Sequence, residues 1–139
     1  MSSFSSFEIS ASGLHAQRAR LDVIANNIAN AESTRTPEGG PYRRQTIAFR
    51  AVYKNSLGGG NEPQGVVVDG VLEDPTDFRT IHDPGHPDAD ANGYVRMPNG
   101  NIVEEMVDMV SATRAYEANV TAMNAAKTMI SDAIDLGKG

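Results

Sequence analysis

Large apolar residues recur at helical spacing near the start of the chain. They form a row seven residues apart with one further isoleucine beside it: Phe7, Leu14, Leu21, Ile28 and Ile24. A seven-residue repeat keeps apolar side chains on one side of an α-helix, as in a coiled coil. The pattern predicts a long N-terminal helix over residues 1–31 with a narrow apolar seam.

The end of the chain carries the same kind of repeat. One row with a seven-residue spacing consists of Ile102, Met109, Tyr116, Met123 and Ile130. A second row consists of Met106, Thr113, Val120, Lys127 and Ile134. No proline or glycine interrupts residues 102–136. The pattern therefore predicts a C-terminal helix over residues 101–137, about 50 Å long, with Gly137 as its left-handed stop.

Residues 32–100 are rich in turn-forming sequence. The stretches TPEGGP, LGGGNEPQG, EDPTD and DPGHPDADANG combine the residue types that favour turns. Apolar or alternating segments between them predict short strands near residues 47–53, 66–68, 71–72, 78–81 and 94–97. The predicted fold class is mainly α. The terminal helices pair as a coiled-coil-like hairpin that forms one axial helical domain, and a small irregular β and loop region lies between them.

Two long helices with one narrow seam bury little apolar surface. Ordering the backbone opposes folding by about 1–2 kcal/mol per residue, whereas a fully buried large apolar side chain returns about 2 kcal/mol. The seam holds far fewer residues than the two helices do. We therefore expect the isolated helix pair to be marginally stable, and we expect neighbouring subunits to cover the apolar surface that remains.

The charge balance argues against nucleic-acid binding. The chain of 139 residues has a formal net charge of -6 and a pI near 4.9, whereas phosphate binding requires clustered lysine and arginine. Cysteine is absent, which excludes disulfides, thiolate zinc sites and a cysteine nucleophile. The start of the chain lacks the basic and apolar regions of a cleaved signal peptide. That test alone predicts a cytoplasmic protein.

The densest polar cluster is HDPGHPDADAN, residues 82–92. It contains two histidines and three carboxylates: His82, Asp83, His86, Asp88 and Asp90. Such ligands bind zinc or calcium. Residues 88–93 also match D-x-D-x-N-G, the sequence with which an EF-hand calcium loop begins. The twelfth position of that loop is Asn99 instead of the required glutamate. A small metal-binding module is therefore the alternative function, and a turn built from proline, glycine and aspartate is the favoured interpretation.

Other candidates for chemistry are weak. The run GGG at residues 58–60 is not followed by the Gly-Lys-Ser/Thr of a phosphate-binding loop. His15 has no evident carboxylate partner, and the adjacent Glu104 and Glu105 point in different directions on a helix. The sequence therefore predicts neither catalysis nor a cofactor.

Three asparagines near the end of the first helix are unexpected, because asparagine competes for nearby backbone groups. These are Asn26, Asn27 and Asn30. Alanines around them leave room for a neighbour, and an amide can both donate and accept across a helix contact. We therefore expect the three asparagines, together with Arg114 and Glu117, to face neighbouring subunits or to help set the packing register.

Two parts of the chain resemble a known family. LDVIANNIANAEST, residues 21–34, is similar to the N-terminal signature of the rod and hook axial proteins of the bacterial flagellum. ANAESTRTPEGGPYRRQ and the block that runs from DPGHPDADANGYVRMPNG to NAAKTM resemble the proximal rod members of that family. The resemblance covers nearly the whole chain except residues 55–65, to which nothing is carried over.

The resemblance implies a structural subunit of the basal-body rod. The terminal helices of such subunits pair in the inner wall of a tube that transmits torque and encloses the export channel. The implied partners are further copies of the chain, other proximal and distal rod proteins, the rod-base adaptor and the inner-membrane ring. The family passes through the flagellar type III export apparatus without a cleaved signal peptide, which replaces the cytoplasmic prediction. No nucleic acid, small-molecule substrate or cofactor is implied.

Overall fold

The structure is a computed structural model that describes residues 3–55 and 58–139. Helix α1 spans Ser3–Ala29, and helix α2 spans Ile102–Lys138. Between them lie strands β1, Gln45–Asn55; β2, Asn61–Glu73; β3, Arg79–His82; and β4, Tyr94–Met97. Roughly half of the chain is helical, and the strands form two separate antiparallel pairs. The prediction of two terminal helices around a small β region is confirmed.

α1 and α2 pack against each other in opposite directions. The end of α1 meets the start of α2, where Asn27 Nδ2 lies 3.1 Å from Glu105 Oε2. Further along the pair, Arg20 Nη2 lies 3.9 Å from Asp108 Oδ1, and Gly13 lies against the side chain of Asn119. Because α2 is 37 residues long and α1 is 27, this register carries the end of α2 past the start of α1.

The side of α2 that faces α1 follows a seven-residue repeat. Its buried members are Glu105, Ala112 and Ala126. Half-buried residues complete the repeat: Met109, Tyr116, Asn119, Met123 and Ile130. The first predicted row therefore lies on this side of α2, apart from Ile102, which is 38% exposed.

The second predicted row of α2 is displaced from the seam by one residue. Met106 follows Glu105, so it lies about 100° further round the helix and is 54% exposed. Val120 is half-buried, and Thr113 and Lys127 are exposed. Ile134 is exposed for a different reason: it lies where α2 extends past the start of α1.

The buried side of α1 consists mainly of small residues: Ser10, Gly13, Ala16, Ile24 and Asn27. The predicted row of large residues is half-buried along the flank of that side: Phe7, Leu14, Leu21 and Ile28. Small residues allow the two helix backbones to approach closely. A Cβ built on Gly13 would lie only 2.6 Å from Asn119 Oδ1, so the centre of this contact has no room for a larger residue.

β1 and β2 form one long hairpin. The register pairs Gln45 with Glu73 at its base, and irregularities follow Ala48 and Val52. The sequence predicted two short strands at residues 66–68 and 71–72, but the structure has one continuous strand. Asp69, between the two predicted strands, is the unpaired residue of the first irregularity, because Ala48 pairs with Gly70 and Phe49 with Val68. Its Oδ1 accepts from Arg50 Nε at 2.9 Å across the hairpin.

A glycine brings this hairpin against α1. Gly65 has φ +115°, a conformation that favours glycine, and a Cβ there would lie 2.2 Å from Ser12 Oγ. The Ser12 hydroxyl donates to Ile9 O at 2.6 Å and accepts from Val66 N at 3.1 Å. α1 thus contacts both α2 and the hairpin.

β3 and β4 pair at the positions that the sequence predicts to within one residue. Val95 in β4 and Pro98 directly after β4 are fully buried. The Asn101 side chain then caps α2 by accepting from Val103 N at 2.9 Å. The stop predicted at Gly137 is wrong: its φ is not positive, and α2 continues through it to Lys138. In the part of the chain that the structure describes, neither helix is long and apolar enough to cross a membrane.

We predict that Gly13→Ala destabilises the folded chain, although alanine favours a helix over glycine by about 1 kcal/mol. The added methyl group must displace Asn119, whose Nδ2 donates to Ala115 O at 2.9 Å. The free energy of unfolding should fall by about 1–3 kcal/mol, measured by urea denaturation with circular dichroism. In an Asn119→Ala background the same substitution should stabilise instead. Destabilisation of equal size in both backgrounds would show that another contact governs the spacing of the helices.

Candidate functional site

A buried polar cluster joins α1, β1 and α2, and we call it the polar junction: Asn27, Tyr42, Arg44, Asp74 and Glu105. Asn27 is 4% exposed, so its amide must find partners inside the chain. Its Nδ2 donates to Gln45 O at 2.8 Å and to Glu105 Oε2 at 3.1 Å. Its Oδ1 accepts from Gln45 N and from the Tyr42 hydroxyl, both at 2.9 Å. Of the two roles expected for Asn27, contact with a neighbouring subunit is therefore wrong.

The carboxylate of Glu105 is the most buried charge of the junction, with 1% exposure. Arg44 Nε donates to its Oε1, and Asn27 donates to its other oxygen. The same guanidinium reaches Asp74 Oδ2 at 3.1 Å and Asp108 Oδ2 at 3.4 Å. A buried carboxylate is tolerated only when charge and hydrogen bonds compensate for lost hydration. Arg44 and Asn27 together provide that compensation.

The surroundings shift three pKa values within the junction. Burial alone lowers the pKa of Arg44, but its hydrogen bond and charge interaction with Glu105, and then those with Asp74, raise it above the ordinary value. Hydrogen bonds from Thr76, followed by the guanidinium of Arg44, lower the pKa of Asp74. Burial raises the pKa of the Tyr42 hydroxyl. Arg44 and Asp74 therefore remain charged around neutral pH.

Asn99 ties the segment before β1 to the segment before β3. Its Oδ1 accepts from Arg44 N at 2.7 Å, and its Nδ2 donates to Asp74 O at 3.1 Å and Thr76 O at 3.0 Å. The Thr76 backbone and hydroxyl both donate to Asp74 Oδ1. The side chains that hold Glu105 are thus fixed by further hydrogen bonds.

The other two asparagines organise the end of α1. Asn30 Nδ2 donates to Asn26 O at 3.0 Å, and Asn30 Oδ1 accepts from the Ser33 hydroxyl at 3.0 Å. Asn26 Nδ2 donates to the Tyr42 hydroxyl at 3.0 Å. These contacts link the end of α1 to Ser33 and Tyr42, which lie on the path of the chain toward β1.

The segment 82–92 folds as a set of turns. Asp88 accepts from the Thr34 hydroxyl at 2.7 Å and pairs with Arg35, and both contacts lower its pKa. His86 Nδ1 accepts from Asp88 N at 3.0 Å, and Asp90 Oδ1 accepts from two backbone amides of the turn. Among residues 3–55 and 58–139, no group of three histidine or carboxylate side chains could hold a metal ion. The metal-binding alternative is therefore not supported, and the interpretation as a turn is confirmed.

Three apolar surfaces remain exposed in the described chain. The start row, on α2, has side chains between 54% and 68% exposed: Val103, Met106, Val107 and Val110. The overhang, at the far end of α2, consists of Met129, Ile134 and Leu136. The hairpin surface comprises exposed apolar residues on both faces of the β1–β2 hairpin, since neighbours along a strand point to opposite sides: Phe49, Tyr53, Val67, Val68, Val71 and Leu72. Clusters of exposed apolar side chains favour interaction sites.

Comparison with known proteins places the chain in a family. Residues 7–35 match the profile of a family described as flagella basal body rod protein, and residues 91–136 match one described as flagellar basal body rod FlgEFG protein C-terminal. The flagellar basal-body rod protein FlgC of Borreliella burgdorferi is 46% identical over the full length of both chains. The chain belongs to the FlgC family of flagellar basal-body rod proteins.

Other FlgC proteins are similar over nearly the same length. The protein of Bacillus subtilis is 45% identical over 99% of this chain and 100% of its own length. The protein of Salmonella typhimurium is 42% identical over 95% of this chain and 96% of its own. Family membership confirms the predicted resemblance, the structural role in the basal-body rod and the prediction that the chain is not an enzyme.

Each of the two family profiles contains one residue of the polar junction. Asn27 lies in the N-terminal match and Glu105 in the C-terminal match, whereas Arg44 lies between them. Sequence reasoning missed Arg44, Glu105 and the contact of Gly13 with Asn119. One signal was available: a row through Glu105, Ala112, Asn119 and Ala126 also has a seven-residue spacing. A charged residue on such a row requires a buried partner.

We predict that Glu105→Ala destabilises the chain by about 3 kcal/mol, because it leaves the guanidinium of Arg44 without its buried carboxylate. The double substitution Arg44→Met with Glu105→Met should be less destabilised than Glu105→Ala. Both are measured by urea denaturation. Glu104→Ala is the matched control, since Glu104 is exposed on the same turn, and it should change stability little. Equal effects of the two alanine substitutions would contradict the assigned role of Glu105.

We predict that Asp74 contributes stability that depends on pH. Its folded pKa is lowered, so this contribution is fully present above about pH 4, the ordinary aspartate value, and is lost as pH falls through the folded pKa. Asp74→Asn should therefore lower the free energy of unfolding by about 1 kcal/mol at neutral pH and by less in acid. Urea denaturation of both proteins at several pH values measures the difference. A difference independent of pH would count against this assignment.

Proposed function

We propose that the chain is a structural subunit of the proximal rod, which assembles into a helical tube that transmits torque and encloses the export channel. The match to FlgC proteins over the whole chain supports this assignment. The structural observation that carries the mechanism is the start row of α2. Its apolar side chains are exposed although the seam beside them is covered by α1.

The placement of the apolar surfaces supports an open assembly. The start row and the overhang lie near opposite ends of α2, whose 37 residues span about 55 Å. Different surfaces at opposite ends of one subunit favour head-to-tail contacts, which generate rings or helical tubes. The hairpin surface provides a third contact to the side of α1. Each subunit can therefore contact neighbours in more than one direction.

We further propose that the helix pair is coiled-coil-like and forms the wall of the tube. The seven-residue repeat of α2 through Met109, Tyr116, Met123 and Ile130 supports this arrangement. Ile102, Met106 and Ile134 lie outside the intramolecular seam and are proposed to pack against neighbouring subunits. Val120 and the half-buried row of α1 lie at the border of the two kinds of contact. The exposed Arg114 and Glu117 are proposed to set register with a neighbour.

The proposed partners are further copies of the chain, the rod proteins FlgB, FlgF and FlgG, the rod-base adaptor FliE and the inner-membrane ring. The proposed location is the part of the rod that spans the periplasm, reached through the type III export apparatus without cleavage of a signal peptide. A helix pair that depends on neighbours for part of its burial supports this route, because such a chain unfolds readily for transport. Residues exposed in the monomer then become buried on incorporation.

We predict that Val107→Asp prevents incorporation into rods without destabilising the isolated chain. Val107 is 64% exposed, so the charge stays hydrated in the monomer but is buried without a partner in the assembly, at a cost of several kcal/mol. Incorporation is measured by the content of purified basal bodies and by swimming motility, in cells that lack the native gene. Unfolding of the purified protein is measured in parallel.

Asn124→Asp is the matched control for this experiment. It places the same charge on α2 at an exposed position that is polar in the native chain and lies outside the start row. The control variant should assemble and support motility. Rods built at normal levels from the Val107→Asp protein would contradict the proposal that the start row is an assembly contact.

A further inference from the structure

The sequence contains Asn-Gly at two places, residues 92–93 and 99–100. An asparagine side chain followed by glycine is prone to cyclise, because glycine has no side chain to hinder attack by its own backbone nitrogen. Whether such a pair reacts depends on how firmly the structure holds the asparagine amide and the following backbone. Gly93 and Gly100 are both buried, so the difference between the two pairs lies in their asparagines.

Asn99 is held on both ends of its amide. Its Oδ1 accepts from Arg44 N at 2.7 Å, and its Nδ2 donates to Asp74 O, Thr76 O and Thr76 Oγ1 at 3.0–3.1 Å. Its side chain is half-buried among these partners. Cyclisation at Asn99 therefore requires these hydrogen bonds to break first. Their loss would also separate the segment before β1 from the segment before β3.

Asn92 is exposed at the turn that leads into β4. Within residues 3–55 and 58–139, no hydrogen bond holds its side-chain amide; only its backbone N donates, to Asp90 Oδ1 at 2.9 Å. Gly93 N donates to Asp90 O at 3.0 Å. Only this bond holds the attacking backbone nitrogen itself, and the preceding residues, 90–92, are exposed. A local opening at the surface of the turn therefore releases the Gly93 nitrogen.

The turn also requires glycine after Asn92. Gly93 has φ +81°, and a Cβ there would lie 2.8 Å from Pro84 Cγ and 3.1 Å from His82 Nε2. The fold of the 82–92 segment thus demands the residue that makes the preceding asparagine reactive. The susceptible dipeptide is a consequence of the turn geometry.

We propose that Asn92 is a site of spontaneous deamidation with water as the co-reactant. The Gly93 backbone nitrogen loses its proton to solvent base and attacks Asn92 Cγ, so that a new C–N bond forms. The C–NH₂ bond then breaks, and ammonia leaves with a proton taken from solvent. Water opens the resulting cyclic imide at either carbonyl, which yields aspartate or isoaspartate. The net reaction consumes one water and releases one ammonia.

The product changes the charge and the backbone at this turn. A carboxylate at residue 92 adds to Asp90 and Asp88 in the same segment, and isoaspartate inserts a methylene group into the main chain. The altered turn must disturb the bonds from Tyr94 N to Asp90 Oδ1 and from Asp83 N to Gly93 O, at 2.9 and 2.8 Å. These bonds join the 82–92 segment to β4, so the reaction loosens the short hairpin.

The test is to incubate the purified full chain at physiological temperature and neutral pH and to follow both sites by peptide mass spectrometry. Isoaspartate is detected separately by methyl transfer from S-adenosylmethionine with an isoaspartyl methyltransferase. We expect Asn92 to react at least about tenfold faster than Asn99, the ratio that corresponds to 1.4 kcal/mol of local opening. Replacement of Asn92 by Ser should abolish most of the isoaspartate signal.

A parallel incubation in concentrated urea separates the effect of the folded structure on the two deamidation rates from the effect of the local sequence. The two sites should react at comparable rates when the chain is unfolded, because the hydrogen bonds of Asn99 are then lost. Equal rates in the folded protein, or faster reaction at Asn99, would overturn the proposal. This outcome does not depend on the proposed function, since neither asparagine belongs to the apolar assembly surfaces.

Discussion

A carboxylate as deeply buried as that of Glu105 requires donors, and the structure meets this requirement from two distant parts of the chain. Asn27 comes from the end of α1, and Arg44 comes from the segment before β1. The start of α2 can therefore occupy its place only when both other segments are in theirs. A buried ion pair adds little net stability. Its effect here is to specify one arrangement of helix, hairpin and helix.

The same interaction explains the asparagines at the end of α1. The amide of Asn27 bonds to both the N–H and the C=O of Gln45, so it substitutes for a strand residue at the base of the hairpin. No apolar side chain could do this, and aspartate would lack the donor. Asn26 and Asn30 bond to each other and link the end of the helix to Tyr42 and Ser33. The residues that make this helix unusual in sequence are those that convert it into the start of the β region.

Apolar periodicity was enough to predict both terminal helices, and turn residues were enough to locate the strands approximately. The helix pairing was harder to predict because its centre is small or polar. Gly13 and Asn119 face each other across the helix contact, with no room for a Cβ on Gly13, and neither contributes to an apolar pattern. A glutamate at a helix start usually acts as a favourable charge there, so the position of Glu105 in the sequence does not indicate a buried role. Its partners lie 61 and 78 residues away in sequence, so local spacing could not reveal them.

The close contact between the helices also determines which apolar residues stay exposed. Because small residues occupy the centre of α1, its large residues other than Ile24 lie along the flank of the contact, and the start row of α2 faces outward. The start row begins two residues after the capping residue of α2, next to Glu105, at the end where the polar junction fixes the helix against the hairpin. The junction thus controls the direction in which the start row points relative to the hairpin surface. Substitutions in the junction should change assembly geometry even though its buried residues lie beneath the surfaces proposed to contact neighbouring subunits.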